Sequence, residues 1–120
     1  MSLPPGWPPE LPPPGTAGFQ RRAVGWLYDL CPPDYRSYSV LRAYPVLLAR
    51  FAAGHVASAI EAAGRGLATA RADLRGVLPP EAVDAAIAAY EREGLRLRRA
   101  AVAVGLVDRA LRGEQFVPRL

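Results

Sequence analysis

"RADLRGVLPPEAVDAAI", Arg71 to Ile87, decides how this chain folds. The double proline Pro79–Pro80 interrupts two long segments of helical apolar period. Proline cannot continue a helix from within, because it lacks an N–H and crowds the preceding turn. It does suit the first helical position, where that N–H would have no partner anyway. One helix therefore ends near residue 76 and another begins near Pro80, with Glu81 and Asp84 in its first turns, where the helix dipole favours anions.

Outward from this turn both segments carry heptads. The N-terminal one begins at Pro45 and has Val46, Ala53, Ile60, Leu67 and Leu74 in one row and Ala49, Val56, Ala63, Ala70 and Val77 in the next. The C-terminal one has Val83, Tyr90, Leu97, Val104 and Leu111 beside Ile87, Gly94, Ala101 and Asp108. Folding the chain back between Leu78 and Pro79 sets Val46 against Leu111, Ala53 against Val104, Ile60 against Leu97, Leu67 against Tyr90 and Leu74 against Val83, with Val56 against Ala101, Ala63 against Gly94 and Ala70 against Ile87 in the layers between. Large side chains then meet small ones in several layers, as a close-packed core requires. The expectation is an antiparallel hairpin crossing at roughly 20°, with arms about 48 Å long.

The remaining prolines divide what precedes the hairpin. Phe19, Ala23, Trp26, Leu27 and Leu30 form one stripe of a helix over 17–30, with Thr16 as its expected cap and Pro32 as its stop. A short helix over 35–43, capped by Asp34, is expected next, then long helices over 45–76 and 80–112. At the open end of the hairpin Leu47, Leu48, Phe51, Val102 and Leu106 lie off the seam and need cover, which the first helix supplies. The predicted fold is all-α: a Pro-rich extended arm over 1–16, then one helical domain over 17–120, a long antiparallel hairpin with the first helix on its open end as a three-helix bundle. Toward the turn, the off-seam positions are mainly Ala, Gly and Arg, and nothing in the chain is left to cover them.

At 120 residues, 51% apolar and 22% charged, the chain has the composition of one soluble globular domain. All 15 basic residues are arginine, a skew of high-GC genomes, so the net charge of +4 is weak evidence for a polyanionic partner. A single cysteine, Cys31, excludes an intrachain disulfide, and with a single histidine, His55, there is no Cys/His set for zinc. No uninterrupted apolar run approaches the roughly 18 residues of a membrane helix. The expected setting is cytoplasmic, with no membrane, metal or cofactor.

The arm, "LPPGWPPELPPPG" from Leu3 to Gly15, packs seven prolines around Trp7 and Leu11. Its PxxP spacings suit polyproline II, the shape that SH3-like grooves read. Its apolar anchors, Trp7 and Leu11, favour a strap docked on its own bundle or on a twin subunit. Arg92, Arg96 and Arg99 recur on one helical face, with Arg65 opposite Arg92 in the mirrored register, and these four are the candidate contacts for a partner or an anion. The favoured reading of that face is solvated and salt-bridged, because Glu61, Glu91 and Glu93 dilute it and no aromatic interleaves to stack bases. Tyr28, Tyr35, Tyr38 and Tyr44 gather at the connection between helices as a packed corner whose hydroxyls reach water. No nucleophile, base and oxyanion donor assemble, and no paired carboxylates stand at catalytic spacing.

The run "PPGTAGFQRRAVGWLYDLCPPDYRSYSVLRAYPVLLARF", Pro13 to Phe51, resembles the opening of small uncharacterised helical proteins of high-GC, actinobacterial-type bacteria. The resemblance implies a cytosolic bacterial setting and assigns no activity. The chain is therefore expected to be a non-enzymatic helical interaction or scaffold module, homodimeric through its hairpin or bound to a helical partner. The alternative is a nucleic-acid-associated accessory protein working through the arginine face.

Overall fold

In a computed structural model, which describes residues 3–116, every regular element is helical. Helix α1 spans Phe19–Asp29, a 3-10 helix Pro33–Ser37, α2 Ser39–Ala43, α3 Pro45–Leu74 and α4 Pro80–Leu111. Residues 1–2 and 117–120, Pro118 among them, lie outside the described residues. Helices α3 and α4 form the expected antiparallel hairpin, and α1 packs against both at the open end. The radius of gyration is 17.5 Å, against about 14 Å for a compact domain of this length. The excess comes from the hairpin, whose outer half projects from the bundle.

The helix ends follow local chemistry. Pro45 and Pro80 each occupy the first turn, as expected, and the carbonyls of Tyr44 and Pro79 accept the opening N–H groups. Helix α4 stops in a Schellman motif: Gly113 has φ +85° and donates to Ala110, while the Glu114 N–H donates to Arg109. Two expected caps are absent. Helix α1 starts after Gly18 with no side-chain cap, and Thr16 serves through its backbone carbonyl, which accepts from Phe19 at 3.0 Å. Thr16 stands two residues before the capping position, so its hydroxyl is out of place. Asp34 lies inside the 3-10 helix, and Tyr38 precedes α2.

The hairpin keeps the mirrored register but turns α3 about its axis. Tyr90 covers Gly66 and Arg71 pairs with Asp84 at 3.4 Å, each within two residues of the expected pairing. The row Ala49, Val56, Ala63 and Ala70 is buried throughout, whereas Ala53 and Leu67 are exposed and Val46 and Ile60 half-buried. On α4, Val83, Leu97 and Val104 are buried, Ala101 is exposed and Ile87 and Gly94 are half-buried. Of the two rows expected to share the seam on α3, the seam therefore centres on the row Ala49, Val56, Ala63 and Ala70, a rotation of about 25° from their midline. The reason is size: the alanine row and Gly66 make room for Tyr90 and Leu97, which a facing row of Ile60 and Leu67 would crowd. At the open end, α1 and α2 also draw Leu48 and Ala52 inward, and both are fully buried.

The core sits in that bundle. Leu27, Leu41, Leu48, Val104 and Val107 are its largest fully enclosed side chains, with Phe19, Ala23 and Tyr28 from α1. Beyond Val56 the hairpin is two helices with buried residues along one seam.

Candidate interaction surfaces

The arm is a strap on its own bundle. Trp7 and Leu11 are both buried, and the Trp7 indole N–H donates to the Leu11 carbonyl at 3.2 Å, so the one polar atom of the ring is satisfied. The ring stacks on Phe19, 5.9 Å between centroids, and meets Phe116 edge-on at 6.0 Å. Gly6, at φ +92°, presses onto α4 so closely that a Cβ there would lie 2.8 Å from Val102. Arg22 of α1 donates to the Glu10 carbonyl at 2.8 Å. The arm is not continuous polyproline II: Trp7, Leu11 and Thr16 donate back to Pro4, Pro8 and Pro13, closing three turns. Those turns fold the PxxP spacings onto the bundle, because burying Trp7 and Leu11 on one side requires the chain to bend. The part played by Phe116 had one sequence signal, an aromatic just beyond the glycine that ends α4.

The arginine face is partly spent. Arg92, Arg96 and Arg99 line one open groove along α4 with Ala89, Glu93 and Leu95; Arg65 is not part of it. Arg96 pairs in a bidentate manner with Glu93, at 2.7 and 2.8 Å, and not with Glu61. Three residues along one helix let the planar guanidinium meet both carboxylate oxygens, which the opposite helix does not. That hydrogen bonding holds the Glu93 carboxyl below the usual carboxylate range and raises Arg96. Arg65 stands 3.9 Å from Glu61. Arg92 and Arg99 have no ion pair among the described residues.

The single cysteine and histidine sit where packing explains them. Cys31 is half-buried beside the core, and burial pushes its thiol up from its ordinary value while the charge of Arg36 opposes the shift. A raised thiol is a poor nucleophile at neutral pH. His55 lies edge-on to Tyr35 at 6.2 Å, and Tyr35 meets Phe51 at 5.5 Å. Tyr28 is buried with the guanidinium groups of Arg36 and Arg42 over its ring, 5.1 and 5.6 Å from the ring centre, and its hydroxyl reaches no protein partner. Of the expected corner, then, Tyr28 packs inward with its hydroxyl enclosed, whereas Tyr38 and Tyr44 are exposed. Among the described residues no three His, Cys, Asp or Glu side chains gather to hold a metal ion.

No protein family, curated protein or solved structure matches this chain.

Uncovered apolar side chains recur along the hairpin. Leu67, Tyr90 and Leu95 are exposed along it, with Val77 and Leu78 at its turn. Helix α3 is, by length and composition, apolar enough to cross a membrane, and less than a quarter of its most apolar stretch is buried. No uninterrupted apolar run is involved, since alanine raises the hydropathy of a helix without forming an aliphatic run. The low buried share decides a second matter: α3 is not apolar because the core of this chain encloses it.

Proposed function

We propose that this chain is a non-enzymatic helical interaction module, acting in the cytosol, that self-associates through its hairpin. The observation that carries the reading is the mismatch on α3 between apolar character and burial. A helix this apolar and this exposed is ordinarily covered by something, and the bundle covers only its first turns. Glycines at 54, 64 and 66 each weaken α3 by about 1 kcal/mol relative to alanine, so the projecting half depends on packing for its stability. A second hairpin of the same kind supplies that packing.

A nucleic-acid-associated role through Arg92, Arg96 and Arg99 is the second reading. It is supported by the absence of an ion pair at Arg92 and Arg99 among the described residues. It is weakened by the commitment of Arg96 to Glu93 and by Leu95, an aliphatic residue, where a stacking aromatic is wanted.

Light scattering between about 5 and 100 µM tests the first reading. A dimer whose dissociation constant hardly responds to salt is the expected result, because its contact is apolar. A strict monomer throughout that range removes it. Retention on single-stranded nucleic acid that falls steeply with salt would favour the second.

A further inference from the structure

We infer that the face of the hairpin bordered by Ile60, Gly64 and Leu67 of α3 and by Ile87, Gly94 and Ala101 of α4 receives the same face of a second copy, antiparallel, forming a four-helix arrangement. The inference rests on the self-association proposed above and states where it occurs and in what register.

A helix packed against one neighbour buries one band of its surface. On α3 that band centres on Ala49, Val56, Ala63 and Ala70. The adjacent row, Val46, Ala53, Ile60 and Leu67, keeps its heptad spacing yet is exposed or half-buried, and so is the matching row of α4, Ile87, Gly94, Ala101 and Asp108. Both rows open on the same side, since one groove is lined jointly by Ala53 and Gly54 of α3 and by Gly105 and Asp108 of α4. The bundle lies on the other side: Leu48 and Ala52 of α3 and Leu106, Val107 and Ala110 of α4 belong to the core that α1 and the arm complete. The arm is already held against Phe19, Val102 and Phe116 and does not cross the open face.

Three features point to a second copy as the occupant. The face is self-complementary in shape. Ile60 and Gly64 are one turn apart, so a two-fold axis crossing α3 between them stands Ile60 over Gly64 of the partner subunit and Leu67 over Ala57 of the partner subunit, each knob above a small residue. It is also self-complementary in charge. The observed pairing of Gly66 with Tyr90 carries the same axis across α4 near Gly94 and Leu95. That sets Glu91 opposite Arg98 of the partner subunit twice over, and neither residue has an ion pair within the chain among the described residues. The third feature is size. Between Arg50 and Arg71 the two helices present a face of about 33 by 20 Å, on the order of 650 Å² in projection, close to the ~800 Å² per partner of a standard interface.

The test uses the full chain and residues outside the intrachain seam. A Cβ at Gly64 would meet nothing within 4 Å, so Gly64→Arg leaves the monomer intact and blocks the face. It should weaken the dimer by at least about 30-fold with unchanged far-UV circular dichroism. Glu91→Arg should weaken it several-fold, and Glu91→Arg with Arg98→Glu should restore it to about wild-type strength. The two positions are seven residues apart on one helix, so such a rescue arises between chains. A wild-type dimer indifferent to Gly64→Arg, or one without rescue by the charge swap, overturns this face and leaves self-association standing. So does a dimer lost instead on Val77→Ser with Leu78→Ser at the turn. A wild-type monomer overturns both readings, and a monomer that floats with phosphatidylcholine vesicles assigns the face to lipid.

Discussion

The ring of Tyr90 on α4 occupies the space that a side chain at position 66 of α3 would fill. A Cβ built on Gly66 would overlap Cε1 of Tyr90, far inside any real contact. This glycine lets the Tyr90 ring lie directly on α3 at that level, which any side chain at position 66 would displace.

Gly64 and Gly66 are both helical glycines of α3, yet they should respond oppositely to alanine. At Gly64, where nothing within the chain is near, alanine should raise the stability of the monomer by about 0.5–1 kcal/mol through backbone entropy and helix propensity. At Gly66 the same gain should be offset by displacement of the Tyr90 ring. In a Tyr90→Ala background, Gly66→Ala should recover the full gain, for a coupling of about 1 kcal/mol. Urea unfolding of the four variants measures it, and additive effects would contradict the contact.

Trp7→Ala should cost about 2–4 kcal/mol, because it uncovers Phe19 and Phe116 and removes the anchor of the arm. Loss of stability within 0.5 kcal/mol of zero, again by urea unfolding, would mean that the arm does not hold the bundle in solution.

The bidentate pair at the end of α4 should give a small acid sensitivity. Arg109 donates to Glu114 at 2.9 Å through Nε and again through Nη2, which holds the Glu114 carboxyl below the usual carboxylate range. A depressed carboxylate stabilises fully above the unfolded value of about 4.3, and the contribution is lost as pH falls through the lower folded value. Fraying of the last turn, followed by amide exchange at Gly113 and Glu114, should therefore increase below about pH 4. Glu114→Gln should show the frayed exchange already at neutral pH and no such step.

The sequence by itself determined the helices and their direction. Pro45 and the Pro79–Pro80 pair act through the backbone alone, by a missing N–H and a fixed φ, so their effect is local and readable without knowing any neighbour. The heptad period likewise determined that α3 and α4 pair in mirrored register, and Trp7 and Leu11 marked the arm as one with anchors. Both rows of α3 were expected to share the seam; that it centres on the alanine row, with Ile60 and Leu67 at its edge, was decided only in the tertiary structure. Two adjacent rows of α3 are comparably apolar, and the choice depends on whether Tyr90 and Leu97 find alanine and glycine or isoleucine and leucine opposite them. The bending of the arm into turns and the pairing of Arg96 with Glu93 were settled there too. Each depends on distances between side chains that are brought together by packing, which a linear pattern of residue types does not contain.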